Sequence, residues 1–166
     1  MPRDRVEALL YLVDQAYDGN EEHSFRGNLR NVRDGDWSTP ATPGGRTIRA
    51  LAGHVGAAKY MYDEYAFGPA KLTWPEFLRH PIFRTDDIAA FLAWIDDGHR
   101  RLRASIAALD DTELSKPRKL NWGGVADTRW IISVLIEHDI YHAGEINEIR
   151  ALLQGNDRWP WEQPSQ

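Results

Sequence analysis

Apolar side chains recur at three- and four-residue intervals in four stretches of this chain, the spacing of helices with one buried face. The first stretch opens at Pro2, a favourable first-turn residue, and carries Val6, Leu9, Leu10, Val13 and Tyr17 until Asp18-Gly19-Asn20 interrupts it. Phe25, Leu29 and Val32 then share a face, so helix is expected to resume for about two turns. Segment 34–45 is dense in Asp, Gly and Pro and is read as a turn region that no helix crosses. From Arg46 to about Phe67 the inward positions read Ile48, Leu51, His54, Ala58, Met61, Tyr62 and Tyr65, and Gly68-Pro69 ends the run. The 70–85 connection, with Trp74, Pro75, Phe77, Pro81 and Phe83, is expected to wrap over the helices without regular structure. A third long helix starts at a Thr85-Asp86-Asp87 cap and buries Ile88, Phe91, Leu92, Ile95, His99, Leu102, Ile106 and Leu109. Lys116-Pro117 and Asn121-Trp122-Gly123-Gly124 mark the next connection, and Asp127 or Thr128 caps a last helix that ends near Gly155. No run alternates as a strand would. The pattern predicts an all-α four-helix bundle in a single domain over 1–166, with 156–166 as a tail that lays Trp159, Pro160 and Trp161 on the surface.

The last helix departs from an ordinary apolar stripe. Its expected inward positions are Ile131, Leu135, His138, His142, Glu145, Ile149 and Leu152, so two imidazoles and a carboxylate lie on the core seam. Burying them without partners costs on the order of several kcal/mol, and a divalent metal is an economical way to satisfy them. Histidines at i and i+4 lie one turn apart on one face and can reach one ion, and His54, on the second helix's seam with Gly53 and Gly56 beside it, is the best third ligand. Three imidazoles leave a coordination position for water or substrate. Glu145, three residues from His142, can orient an imidazole or accept a proton, which makes it the candidate catalytic residue. Glu137 and Asp139 project to either side of His138 and are weaker supporting candidates. The alternative is that the three histidines are core residues bonded to Tyr141, Tyr62 or backbone carbonyls. His99 is read as a hydrogen-bonded residue at the core edge, His80 as solvated, and His23 as structural.

Composition narrows the function classes. At 166 residues and 42% hydrophobic content the chain can build one substantial core. Its net charge of -5, from 20 basic and 25 acidic residues spread along the chain, supplies no basic stripe for nucleic acid. No segment approaches the ~18 consecutive apolar residues of a membrane span, and the start at Met-Pro-Arg-Asp-Arg lacks a signal-peptide core, so a cytoplasmic location is expected. With no cysteine there is no disulfide, no thiolate ligand and no internal thiol nucleophile.

Several runs carry a resemblance to a known family. Trp37 followed by Pro43-Gly44-Gly45, then Ile48-Arg-Ala-Leu-Ala-Gly-His54, and above all His138-Asp-Ile-Tyr-His142-Ala-Gly-Glu-Ile146 make the chain similar to the DinB-like (YfiT-like) superfamily of four-helix-bundle metalloproteins. The stretch with His23 ahead of Arg26-Gly27-Asn28-Leu29 also looks like that of actinobacterial-type members. The resemblance implies a divalent metal, zinc or nickel, held by His54, His138 and His142, and a homodimer. It also implies thiol-dependent transfer or isomerisation with mycothiol, bacillithiol or glutathione, the metal activating the thiol. Relatives often carry glutamine where this chain has Glu145, whose negative charge either assists proton removal or discourages a thiolate.

The leading expectation is therefore a metal-dependent S-transferase of a small external thiol acting on a small-molecule substrate, with Glu145 as proton acceptor. The alternatives are a hydrolase using metal-bound hydroxide and a non-catalytic metal-binding dimeric bundle.

Overall fold

The computed structural model describes residues 2–159 and residue 162. Expectations for Pro160 and Trp161 lie outside the described residues. The chain is mostly helical. Its elements are α1 (Asp4–Asp18), α2 (Phe25–Arg30), α3 (Ile48–Tyr62), α4 (Trp74–Phe77), α5 (Ile88–Ala107) and α6 (Thr128–Gln154), with a two-stranded sheet of β1 (Pro117–Lys119) and β2 (Val125–Asp127). Side-chain caps fix the starts of the helices that frame the site. Thr47 accepts from the Ala50 amide ahead of α3, Asp87 from the Ala90 amide ahead of α5, and Ser24 from the Gly27 amide ahead of α2. Beyond Tyr62, α3 widens into a π-helical turn over Asp63–Phe67.

α5 packs along α3, and α6 packs against α1, α2 and α3. The approach of α5 to α3 is close because Gly56 has no side chain: a Cβ there would stand 2.6 Å from Trp94 Cζ3 and 2.9 Å from Ile95 Cγ1. Two buried clusters fill the interior. One gathers Phe25, Trp37, Leu51, Phe91, Ile95 and Ile146, and the other Val6, Leu10, Leu102, Ile106, Ile131 and Leu135.

Three expectations are corrected. The 70–85 connection is not wholly irregular: Thr73 and Glu76 form a reciprocal capping box that starts the single turn α4, and Pro81–Arg84 forms a 3-10 turn. A hairpin precedes α6, pairing Pro117 with Asp127, Arg118 with Ala126 and Lys119 with Val125. Its three-residue strands are too short for a visible alternation, and its turn uses Gly123 and Gly124, both at positive φ. The third correction concerns the buried line of α6, which runs through Ile131, Leu135, Asp139, His142, Ile146 and Arg150. His138 and Glu145 are half-buried, Ile149 is only partly buried, and Leu152 is 57% exposed. The face is turned by about one residue, and it takes in two charged side chains that have protein partners. Asp139 meets Lys59 of α3, and Arg150 donates to Asn147 and Gln154.

No helix among the described residues is long and apolar enough to cross a membrane. In the tail, the Arg150 guanidinium lies 5.6 Å from the centroid of the Trp159 ring.

Candidate metal centre

The middle of α3 brings His54 to the edge of the helix layer, where α6 presents His138 and His142 one turn apart. One nitrogen from each imidazole lies within 4.8 Å of those of the other two. His54 Nε2 and His138 Nε2 stand 3.0 Å apart. The ring of His142 meets those of His54 and His138 edge to face, with centroids 5.0 and 4.4 Å away. The three differ in depth: His142 is buried, His138 half-buried and His54 exposed. The second-helix seam therefore does not pass through His54. Its exposure gives the cluster one side open to solvent.

These donors fit a divalent ion. Bonds of about 2.0–2.1 Å in a tetrahedral array set ligand atoms roughly 3.3 Å apart, close to the His54–His138 separation. Two imidazole nitrogens facing at 3.0 Å form a hydrogen bond only if one carries the proton, so the pair without an ion commits one tautomer. Burial, reinforced by the charges of His142 and His54, pushes His138 down to about 3. Burial is also the main cause that lowers His54, followed by the charge of His142. Both imidazoles are thus held neutral, the form that ligates metal.

Glu145 Oε2 lies 2.5 Å from His142 Nδ1. With that nitrogen donating to the carboxylate, Nε2 keeps its lone pair for coordination, and the ring cannot rotate freely. Tyr141 is 65% exposed, and its ring meets His142 edge to face at 5.1 Å. Neither Tyr62 nor Tyr141 hydrogen-bonds the histidines among the described residues.

Beneath the histidines lies a second polar cluster. Lys59 Nζ stands 2.8 and 2.6 Å from the two carboxylate oxygens of Asp139, with both side chains almost wholly buried. Burial pushes the Asp139 carboxyl up, against the lowering effect of Lys59. The ammonium also lies 4.8 Å from the centroid of the Tyr17 ring, whose hydroxyl donates to Asp96 at 2.5 Å. His99 stacks on the same ring at 3.7 Å and 6° between planes. Its Nε2 is 3.9 Å from Asp14 Oδ1, so stacking rather than a hydrogen bond holds it at the core edge. Lys59 carried no signal in the pattern, since a lysine on an apolar helix usually reaches solvent.

The remaining histidines stay apart from the centre. Exposed His80 caps the Pro81–Arg84 turn by accepting from the Ile82 amide. His23 is exposed, and its amide donates to the Asn20 side chain at the bend between α1 and α2. Glu137 points to solvent.

A family model described as the DinB superfamily matches residues 20–146, which include all three histidines and Glu145. No curated protein matches the chain.

Proposed function

The chain belongs to the DinB superfamily, and from that premise we propose that His54, His138 and His142 hold a divalent metal ion, zinc or nickel, in a thiol-dependent S-transferase. The observation that carries this reading is the convergence of three imidazole nitrogens within 4.8 Å, with His142 buried at the back and His54 exposed at the front. A divalent ion bound there would supply Lewis acidity, lowering the pKa of a thiol so that it reacts as thiolate. The chain's own residues do the rest. His138, kept neutral by burial, offers its lone pair without first losing a proton. Glu145 fixes the tautomer and tilt of His142, and it is the carboxylate nearest that ring for taking up a proton. Because the sequence contains no cysteine, the sulfur nucleophile has to be a cosubstrate such as mycothiol, bacillithiol or glutathione. In this reading α1, α3, α5 and α6 are the four helices of a DinB-like bundle, and the protein acts as a cytoplasmic homodimer on a small molecule.

The test has two steps. Metal content is measured by plasma mass spectrometry for untagged wild type and for a His138→Ala/His142→Ala variant, and near-stoichiometric metal is expected only in the first. Loaded protein is then mixed with each thiol and monochlorobimane, where metal-dependent conjugation is expected. A protein that takes up no metal on reconstitution would overturn the reading. Turnover of esters or lactones without thiol, and none with thiol, would replace transfer by hydrolysis.

A further inference from the structure

Next to His54 lies a cavity of about 480 Å³, within the range that takes small ligands. Its floor is one stripe of α3. At 100° per residue Ala50, Gly53 and Ala57 fall between Arg49 on one edge and His54 on the other, across an arc of about 140°. The side chains between the two edges are no larger than a methyl, so an apolar body can lie flat between a cation and the histidine cluster. The facing wall is apolar: Trp74 and Leu78 come from the 70–85 connection, Phe83 from its second turn, and Phe91 from α5.

Arg49 is incompletely satisfied. Its Nη2 donates to the carbonyls of Phe83 and Thr85 at 3.1 and 2.8 Å, and its guanidinium carbon sits 5.2 Å from the Phe91 ring centroid. Its Nε is buried with no hydrogen-bond partner, and no carboxylate pairs with Arg49 among the described residues. Its Nη1, which has no hydrogen bond among the described residues and is not one of the buried unpartnered atoms, is the donor open to a ligand, and a carboxylate is the group that suits a guanidinium. A second cation, the exposed Arg46, lies close enough to act electrostatically on both His54 and His138.

We propose that this cavity binds a small carboxylic acid with an apolar or aromatic body, its carboxylate on Arg49 and its far end directed at His54. That the far end is the reacting end rests on the metal-dependent reading above; the binding of the acid does not.

The probes are 3-phenylpropanoate and 3-phenylpropanamide, alike in shape and different in charge. Each is titrated calorimetrically into metal-free wild type, Arg49→Met, Arg49→Gln, and the His138→Ala/His142→Ala variant, with metal content read on the same samples. The acid is expected to bind wild type about tenfold more tightly than the amide. The preference should shrink to about twofold or less in both Arg49 variants and persist in the histidine variant. Equal binding of acid and amide to wild type, or no binding of either at millimolar ligand, would overturn the proposal. So would a preference that survives Arg49→Met in protein with wild-type circular dichroism and melting, or one that arises only after metal is added. The wild-type comparison requires no variant, so a misfolded Arg49 variant does not shield the proposal. A protein that takes up no metal yet keeps the acid preference would sink the metal reading and leave the cavity assignment standing.

Discussion

α3 and α6 share two polar clusters, one wholly buried and one with a member exposed to solvent. Lys59 and Asp139 answer charge with charge at 2.6 Å inside the core. His54, His138 and His142 turn nitrogen toward nitrogen at the edge, with one member exposed. The buried pair has nothing left to bind. The histidines bring one ring nitrogen each within 4.8 Å of the others, an arrangement that could hold a metal ion. Burial by itself therefore does not mark the site. The buried polar residues of α6 include Asp139 and Arg150, which are satisfied by protein groups, as well as His142, which meets the half-buried His138 and the exposed His54.

The largest expected effect comes from opening the closed cluster. Asp139→Ala leaves Lys59 buried without its counter-charge and should cost about 3–5 kcal/mol in urea unfolding. Lys59→Met/Asp139→Leu together should recover all but about 1 kcal/mol of it, since apolar side chains of similar size replace a buried pair at little loss. A single variant within about 1 kcal/mol of wild type would mean that water already reaches the pair. Filling the open cluster comes next. Free metal at 1,000 times its dissociation constant should stabilise wild type by about 4 kcal/mol and leave His138→Ala/His142→Ala unmoved. Equal shifts in both proteins would place the ion elsewhere. Glu145→Gln should weaken metal binding by about 10–100-fold while changing metal-free stability by less than about 0.5 kcal/mol. If affinity is unchanged, the carboxylate does not orient His142.

The two clusters were unequally legible in the sequence. His138 and His142 stand out because imidazoles at i and i+4 share a helix face, whereas the pattern places His54 on a seam that in the structure runs beside it. The limits of α5 and α6 follow from the Asp87 cap and from Gly155, which ends α6 in the left-handed conformation. The phase of α6 was not legible. Asp139 can be buried only because Lys59 lies across from it, 80 residues away in the chain, and no local pattern records that pairing. The Arg49 cavity was hidden for a related reason. Trp74, Leu78 and Phe83 form its wall from a connection whose path is set by packing, not by periodicity.

A pH series tests whether the closed cluster is closed to protons as well as to ligands. His99 shares the Tyr17 ring with Lys59, and its pKa is pushed down to about 3, first by burial and then by the Lys59 charge, with Asp14 opposing and Arg103 adding to the fall. In the folded protein His99 stays neutral through the range where the unfolded chain, with an ordinary histidine pKa near 6.5, takes up a proton. The unfolded state therefore binds more protons as pH falls. The contribution is complete above pH of about 6.5 and declines toward about 3, with a limiting slope of about 1.4 kcal/mol per pH unit. His99→Phe keeps a flat ring on Tyr17 but cannot titrate. In urea-derived stabilities of the metal-free proteins, measured from pH 7 to 4, wild type should therefore lose stability relative to the variant as pH falls, by up to that slope. His138, also held neutral by burial, is present in both proteins and cancels in the difference. Parallel curves would mean that His99 protonates in the folded state, and that solvent reaches the Tyr17–Lys59 cluster as freely as it reaches His54.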